Sequence, residues 1–333
     1  MKRGLALLIL CGIGLASCSD VPGGAAQHLQ AAPGDLLLGD PRLTVAHDGI
    51  RRIEFPLVAG PAGSFRERIV TDGQGRYSIR PLEALAGTAA ERETFELLQV
   101  AREGFLFRYR DFLVRDARLF ARNWRTTDLG TTALVAGRTC TLHRVERTSG
   151  VAKTFELSLD VQTGLVLASR ELDAGGDLVA AMTYESVRFD PDLASVVWHV
   201  PANEERPFPD PADAQGTVPG TLRPRLLPQG YGELEATSVR AGEGARWLKR
   251  TYSDGVEPLF FFQAMGDAVG GIQPIVQSEA GLGQPTKPRP SSVVVFEVGA
   301  ATAIQGEVDG FELMVIGRAP KDKLLDLIES SLP

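Results

Sequence analysis

Seven prolines fall within residues 201–228, and this segment constrains the fold more than any other. They are Pro201, Pro207, Pro209, Pro211, Pro219, Pro224 and Pro228. Proline lacks the amide N–H that a sheet requires, and it breaks the interior of a helix. We therefore predict a linker at 201–225 that separates a domain at 36–200 from a smaller one at 226–333. Two domains also fit 333 residues, because domains usually hold about 100–200 residues.

The start of the chain resembles a bacterial export signal. Lys2 and Arg3 precede an apolar run at 4–15, which is too short to span a bilayer as a helix. The run ends in Leu15-Ala16-Ser17-Cys18, the order of a lipobox: an aliphatic residue, two small residues and a cysteine. We expect cleavage before Cys18 and attachment of lipid to it. The alternative is an ordinary secretory signal in which Cys18 lies near the cut by chance.

This signal sets the expected location of the protein. Residues 1–17 would be removed, and 18–35, rich in Gly, Ala, Gln and Pro, would form a flexible tether. Two or three acyl chains on Cys18 would hold the mature chain on a membrane, because each buried methylene contributes about 0.8 kcal/mol. The prediction is a periplasm-facing lipoprotein of the bacterial envelope. Ser19 directly after Cys18 favours the outer membrane.

Composition narrows the class of protein. The 42 acidic and 35 basic residues give a net charge of −7, the wrong sign for a nucleic-acid binder that neutralises phosphates. With 44% hydrophobic and 23% charged residues, the chain is neither disordered nor embedded in a membrane. Cys140 would lack a disulfide partner once Cys18 is lipidated, so it is either a small buried hydrophobe or a reactive thiol.

Alternating polarity and short turns predict that the first domain is an antiparallel meander. The hairpin at 66–79 turns at Asp72-Gly73-Gln74-Gly75. A single helix is expected at 89–102, where apolar residues recur at helical spacing. The other predicted strands are 105–114, 139–146, 154–160, 165–172 and 178–189.

The second domain is predicted to be α+β. Strands are expected at 252–262, 292–298 and 311–317, and a C-terminal amphipathic helix at 321–331. Phe260-Phe261-Phe262 places aromatic rings on both faces of its strand. We therefore expect that strand to be covered on both sides.

Sequence motifs of catalysis are missing, which favours a protein that is not an enzyme. The histidines His28, His47, His143 and His199 have no metal-ligand spacing, and no metal or cofactor is expected. The sequence has no glycine-rich phosphate loop before a helix, no Gly-x-Ser-x-Gly elbow and no Cys-x-x-Cys pair. A hydrolase with a site spread over loops is the least favoured of the functions considered.

The stretch 102–125 interleaves arginines with aromatic residues and holds the candidate ligand contacts. An apolar surface beside guanidinium groups would suit an acyl chain with a phosphate or carboxylate. The alternative is a half-buried strand with a charged face in water. The candidate lipid-cavity or ligand-contact residues are Phe105, Phe107, Arg108, Tyr109, Arg110 and Phe112.

Several short patterns from residue 134 onwards resemble one family in their order. They include Val135-Ala136-Gly137-Arg138, Asp160-Val161-Gln162-Thr163-Gly164, Leu227-Pro228-Gln229-Gly230-Tyr231, Tyr252-Ser253-Asp254-Gly255 and Val315-Ile316-Gly317-Arg318-Ala319-Pro320. The chain is similar here to the MucB/RseB regulators of the periplasm. Their first domain is similar to the lipoprotein carrier LolA. The resemblance implies a strongly curved, unclosed antiparallel β-barrel with helices on its concave face, followed by a smaller α+β domain.

The resemblance also implies a function. MucB/RseB proteins bind the periplasmic domain of a membrane anti-sigma factor, shield it from proteolysis, and are released by an envelope-stress signal from a lipid or lipoprotein. The alternative is a lipid or lipoprotein chaperone at the outer membrane that uses the same cavity without signalling. Tyr252 and Asp254 are candidate partner contacts, and a strand-edge turn formed by Asp254-Gly255 is the other interpretation. The sequence leaves the oligomeric state open.

Overall fold

The computed structural model describes residues 44–55, 63–86, 111–198, 205–207, 221–241, 245–265, 293–298, 301–308 and 310–332. These residues fall into two compact units, with the boundary between Pro201 and Ala202. Each unit has its own antiparallel sheet. No helix within the described ranges is long and apolar enough to cross a bilayer.

The first unit holds one eight-stranded sheet and one short helix among its described residues. The strands follow the order β3-β2-β1-β8-β7-β6-β5-β4, and every neighbouring pair is antiparallel. The elements are β1 (His47–Phe55), β2 (Gly63–Thr71), β3 (Tyr77–Ala86), α1 (Ala117–Asn123), β4 (Trp124–Val135), β5 (Arg138–Arg147), β6 (Thr154–Asp160), β7 (Val166–Leu172) and β8 (Leu178–Phe189).

This sheet is strongly curved and unclosed. Strands β4 and β8 have three strands between them, so a flat sheet would hold them about 19 Å apart at the usual spacing. Pairs of Cα atoms from these two strands nevertheless lie within 8 Å of each other. The terminal strands β3 and β4 are not hydrogen-bonded to one another. The predicted fold class, an unclosed curved antiparallel sheet, is confirmed.

Turn chemistry explains why β2 and β3 form the predicted hairpin. The Asp72 carboxylate accepts hydrogen bonds from the backbone N–H groups of Gln74 (2.8 Å) and Arg76 (2.9 Å). Gly73 has φ of 71°, and a Cβ there would lie 2.9 Å from the backbone nitrogen of Ala46. Glycine is therefore the residue that fits this turn.

Three elements of the first unit were not predicted, and one prediction is wrong. Strands β1 and β4 and helix α1 are additions. Of the strand expected at 105–114, residues 105–110 lie outside the described residues, and 111–114 are not strand. Helix α1 begins after Asp116, whose carboxylate accepts a hydrogen bond from the N–H of Leu119 (2.6 Å) and so caps it. The helix expected at 89–102 also lies outside the described residues.

The second unit holds a seven-stranded sheet of order β14-β15-β16-β13-β12-β11-β9 and a two-stranded pair β10-β17 among the described residues. Two pieces of the proline-rich segment, β9 and β10, pair into this unit. The elements are β9 (Glu205–Pro207), β10 (Arg223–Pro224), β11 (Gly232–Ala241), β12 (Ala245–Ser253), β13 (Pro258–Met265), β14 (Val293–Val298), β15 (Ala301–Val308), β16 (Phe311–Gly317), α2 (Lys321–Glu329) and β17 (Ser331–Leu332).

The predicted single strand at 252–262 is wrong, because the chain turns inside it. Residues 254–257 connect β12 to β13, which pair as a hairpin. Helix α2 forms as predicted and buries an apolar stripe of Leu324, Leu327 and Ile328 in a core that includes Phe261. Phe260 and Phe262 are also buried, so the expectation that both faces of their strand are covered is confirmed.

Candidate functional site

The register of the first sheet defines one face that is mostly buried, called here the inner face. One row of paired residues crosses six strands on this face: Phe65, Ile53, Met182, Ser169, Leu157 and His143. Side chains alternate between faces along each strand, so Arg51, Glu67, Phe155 and Glu171 share this face. The opposite face, called the outer face, carries ion pairs such as Arg66–Glu185 and Arg170–Glu156. The inner face is therefore mostly apolar, and charged side chains are buried among its apolar residues.

The strongest polar feature of the inner face is a buried ionic group, called here the Arg51 cluster: Arg51, Glu67 and Asp111. Arg51 Nε donates a hydrogen bond to Glu67 Oε1 (2.6 Å), and Arg51 Nη1 donates one to Asp111 Oδ2 (2.6 Å). The side chains of the three residues are at most 2% exposed. Arg51 is on β1 and Glu67 on the neighbouring strand β2, whereas Asp111 comes from the chain between β3 and α1. One guanidinium thus connects the sheet to a separate segment.

The charges in this cluster stabilise each other. Burial on its own lowers the pKa of Arg51, but Asp111 and Glu67 raise that pKa well above its ordinary value. Arg51 therefore stays charged at every pH at which the fold exists. The Arg51 guanidinium carbon also lies 5.9 Å from the centre of the Tyr184 ring. A buried ion pair that loses one partner costs about 3–5 kcal/mol, because the remaining charge is left without compensation.

The segment that carries Asp111 covers part of the inner face. The ring of Phe112 packs edge-on against Phe155 of β6, with centroids 5.0 Å apart. Trp124, which follows helix α1, lies 5.5 Å from the same Phe155 ring. Trp124 begins strand β4, so the segment that approaches the sheet is 111–123, through the Asp111–Arg51 ion pair and the Phe112 ring. We call this segment the cover.

A second polar group lies beside Arg51 and is fully satisfied. His47 Nε2 and the Tyr184 hydroxyl are 3.0 Å apart, and His47 Nδ1 lies 2.8 Å from the backbone oxygen of Val45. The Tyr184 ring also lies against Gly49, where an added Cβ would be 2.5 Å from Tyr184 Cε1. The absence of a side chain at Gly49 makes room for this tyrosine. These contacts fix the inner face next to the Arg51 cluster.

Of the predicted ligand-contact residues, the structure describes Phe112 only. It is buried on the inner face in the cover, which is compatible with contact to an apolar ligand but does not test it. Phe105, Phe107, Arg108, Tyr109, Arg110 and the lipidation residue Cys18 lie outside the described residues. Their roles stay predictions.

Sequence reasoning missed the Arg51 cluster. The available signal was Glu67, which interrupts the apolar inward series Phe65, Ile69 of β2. A charged residue in an apolar face indicates a buried partner, but the partner strand β1 was not predicted. Asp111 lies within the predicted strand 105–114, for which one interpretation was a half-buried strand with its charged face in water. Only the folded chain brings the three together.

Tyr252 and Asp254, the candidate partner contacts, are both buried in the second unit. Tyr252 belongs to the core under helix α2. The Asp254 carboxylate accepts hydrogen bonds from the backbone N–H groups of Val256 (3.0 Å) and Glu257 (2.8 Å). This geometry supports the turn interpretation of Asp254-Gly255, and direct contact with a partner stays a prediction.

Cys140 is buried, and its burial raises the thiol pKa to about 11, with Asp160 adding to the shift.

The inner face presents residues that are suited to binding and positioning a ligand. Its buried charges are paired within the chain, and its aromatic rings pack against one another. Across the described ranges, no three His, Cys, Asp or Glu side chains are grouped as metal ligands. The cover contacts this face through the Asp111–Arg51 ion pair and through the ring of Phe112 on Phe155.

The chain is similar in fold to solved structures of MucB, in agreement with the resemblance of its sequence patterns. A structure described as MucB in complex with MucA(peri) aligns with 91% of this chain and 99% of its own chain, with a TM-score of 0.54 and 18% identity. The complex of Pseudomonas aeruginosa MucA/MucB gives the same coverage, a TM-score of 0.52 and 17% identity. At this identity the likeness shows the fold. Comparison with protein-family models and with curated proteins found no match.

Proposed function

We propose that this chain is a non-enzymatic regulator of the bacterial envelope that binds the periplasmic domain of a membrane anti-sigma factor. The observation that carries the proposal is the match of both units, over 91% of the chain, to MucB in structures that also contain MucA. A carrier with the first unit alone would leave the second unit without a role. Binding would place the chain in the periplasm.

The test is direct binding of the full chain to the periplasmic domain of an anti-sigma factor encoded beside its gene. We expect saturable binding by isothermal titration calorimetry, and protection of that domain from a periplasmic protease. The matched control is an unrelated periplasmic peptide of the same length and net charge. Absence of saturable binding, or equal binding to the control peptide, would refute the proposal.

We further propose that an acyl chain is the signal, and that it binds the inner face by displacing the cover. The support is the contact between Phe112 of the cover and Phe155 on the mostly buried inner face. Displacement would break the Asp111–Arg51 ion pair, so part of the binding free energy is spent on opening. A ligand shifts such an equilibrium only by its difference in affinity for the open and the covered state.

This step predicts that a weaker ion pair increases affinity for an acyl chain. Asp111→Asn removes a charged hydrogen bond of about 1.5–3 kcal/mol, so a fluorescent fatty acid should bind about tenfold more tightly or better. Arg52→Met is the matched control, because Arg52 is the next residue on β1, points to the outer face and is half exposed. If Asp111→Asn binds the fatty acid with unchanged affinity while the second unit keeps its native stability, opening of the cover is excluded. That result would not bear on binding of the anti-sigma factor, which is tested separately.

The lipid anchor at Cys18 is a third element of the proposal. Cys18→Ser should move the protein from the membrane fraction to the soluble periplasm and should abolish incorporation of labelled palmitate. Retention of the label in Cys18→Ser would contradict lipidation at this residue.

The chaperone alternative predicts a different phenotype when the gene is deleted. Loss of a chaperone would misplace lipoproteins, whereas loss of a regulator would alter stress transcription with lipoprotein sorting intact.

A further inference from the structure

The outer face of the first sheet has one region where positive charge is in excess. Its centre is Asp48 of β1, which contacts two arginines from the strands on either side. Arg68 of β2 donates two hydrogen bonds to Asp48, from Nε and from Nη2, both 2.8 Å. Arg188 of β8 reaches Asp48 Oδ2 at 3.4 Å. A single carboxylate oxygen is therefore shared by two guanidinium groups.

A third arginine increases this excess. Arg80 of the terminal strand β3 pairs directly opposite Arg68 in the register. Like charges placed opposite each other on a sheet destabilise it. Arg80 is exposed and has no acidic partner among the described residues, so the repulsion at this pair is offset by the Asp48 carboxylate that Arg68 contacts. We call Arg68, Arg80 and Arg188 the arginine patch.

The rest of the outer face is balanced, which makes the patch distinctive. Elsewhere on the described part of this face, arginines and glutamates pair in equal numbers. The paired residues are Arg52, Arg66, Arg125, Arg144 and Arg170 with Glu54, Glu83, Glu146, Glu156 and Glu185. The patch has three arginines and one aspartate, an excess of two positive charges in a chain whose net charge is −7.

The cations of the patch face the solvent, while the carboxylate lies beneath them. The side chains of Arg68 and Arg188 are 40% and 63% exposed, whereas that of Asp48 is 15% exposed. The hydrogen bond from Arg68 and the charge of Arg188 lower the pKa of Asp48, although burial opposes them. The outward residues next to the patch include the neutral Ile50, Val70, Ser78 and Ser186. The next row on this face holds Arg66, which pairs with Glu83 and Glu185. Asp190 and Asp192, which follow the end of β8, are exposed.

We propose that the arginine patch is a binding site for a phosphate group. Guanidinium groups donate pairs of parallel hydrogen bonds to phosphate oxygens, and Arg80 beside Arg68 offers donors that no residue of the described chain takes up. The excess of two charges matches a phosphate monoester dianion better than a single carboxylate. The phosphate belongs to a soluble ester or to the headgroup of a lipid, because both present anionic non-bridging oxygens, three in a monoester and two in a diester.

The test compares two single substitutions in the full chain. Arg80→Gln removes an arginine that has no acidic partner among the described residues, so it should leave the melting temperature unchanged. Arg170→Gln is the matched control, because it removes the same charge from the balanced part of the same face, where Arg170 pairs with Glu156 at 2.7 Å. The probes are inorganic phosphate and glycerol 3-phosphate, measured by calorimetry, and vesicles of phosphatidylglycerol against phosphatidylcholine, measured by flotation.

We expect Arg80→Gln to weaken binding at least fivefold and Arg170→Gln to change it less than twofold. A loss seen with the soluble phosphates assigns the site to free phosphate esters, and a loss seen with phosphatidylglycerol vesicles alone assigns it to a headgroup. Equal effects of the two substitutions would mean that net charge alone attracts the probes, which overturns the proposal. Failure of the unsubstituted chain to bind any probe saturably would also overturn it.

Discussion

Replacement of Arg51 by methionine tests the central feature of the inner face. Arg51 compensates two buried carboxylates, Glu67 at 2.6 Å and Asp111 at 2.6 Å. Its loss leaves both acids buried without their cation, so we expect the free energy of unfolding of the first unit to fall by about 3–5 kcal/mol. Methionine keeps much of the side-chain volume, and the loss should therefore reflect charge more than packing.

The adjacent residue supplies the control. Arg52 is on the same strand, but its side chain is 48% exposed and contacts Glu54 at the surface. Arg52→Met should cost less than about 1 kcal/mol, because exposed ion pairs contribute little. Both variants are compared with the original chain by urea unfolding, followed by near-UV circular dichroism of the full protein.

The two single-acid variants refine the reasoning. Asp111→Asn leaves Arg51 paired with Glu67, so its cost should be near the value of one charged hydrogen bond, about 1.5–3 kcal/mol. In Arg51→Met/Asp111→Asn the second change should cost less than it does alone, because the two residues act through the same contact. Equal costs for Arg51→Met and Arg52→Met, or strict additivity in the double variant, would refute the assignment of a buried cluster.

Three further predictions concern packing, reactivity and pH. Gly49→Ala should destabilise the first unit by about 1–3 kcal/mol in urea unfolding, because its Cβ would meet Tyr184 Cε1 at 2.5 Å; a smaller loss would show that the ring moves away freely. Cys140 should resist alkylation by iodoacetamide at pH 8 until the chain unfolds, because it is buried and its thiol pKa is raised to about 11; rapid labelling of the native protein would contradict this. Burial raises the pKa of Asp160, but hydrogen bonds from Arg138 and Thr163 lower that pKa overall. The ionised Asp160 therefore stabilises the fold fully at pH values above its unfolded pKa of about 3.9. This contribution to stability is lost as the pH falls through the lower pKa of the folded state. Asp160→Asn should accordingly reduce the acid sensitivity of unfolding, and an unchanged pH profile would contradict it.

Local signals were sufficient to predict much of the fold. Strands β6, β8 and β16 have the predicted bounds, because short turns with glycine or aspartate separate runs of alternating or apolar residues there. Helix α2 was visible in its apolar stripe. The hairpin of β2 and β3 was visible in Asp72 and its glycines.

Non-local pairing explains what the sequence did not reveal. Strand β1 reads His47-Asp48-Gly49-Ile50-Arg51, with charged and small residues where a half-buried strand usually has apolar ones. Its inward arginine is stable only because Glu67 and Asp111 meet it in the folded chain. Strand β4 is mostly exposed, so its sequence lacks the apolar alternation that indicates a strand. A turn at Asp254-Gly255 was one of two interpretations of that pair, but the predicted strand 252–262 ran through it.

The position of β1 between β2 and β8 has a consequence for how the first unit reaches its native state. Strands β1–β3 and β4–β8 are two meanders that each form from neighbouring strands, and a single ladder, from His47 with Phe189 to Glu54 with Ala181, joins them. Formation of that ladder closes a loop of more than one hundred residues, with an entropic cost that short hairpins do not carry. Folding of this unit should therefore be limited by the meeting of two preformed halves, at a speed typical of proteins with distant contacts. Substitutions along the β1–β8 seam would then slow folding, whereas those in the outer hairpins would mainly speed unfolding.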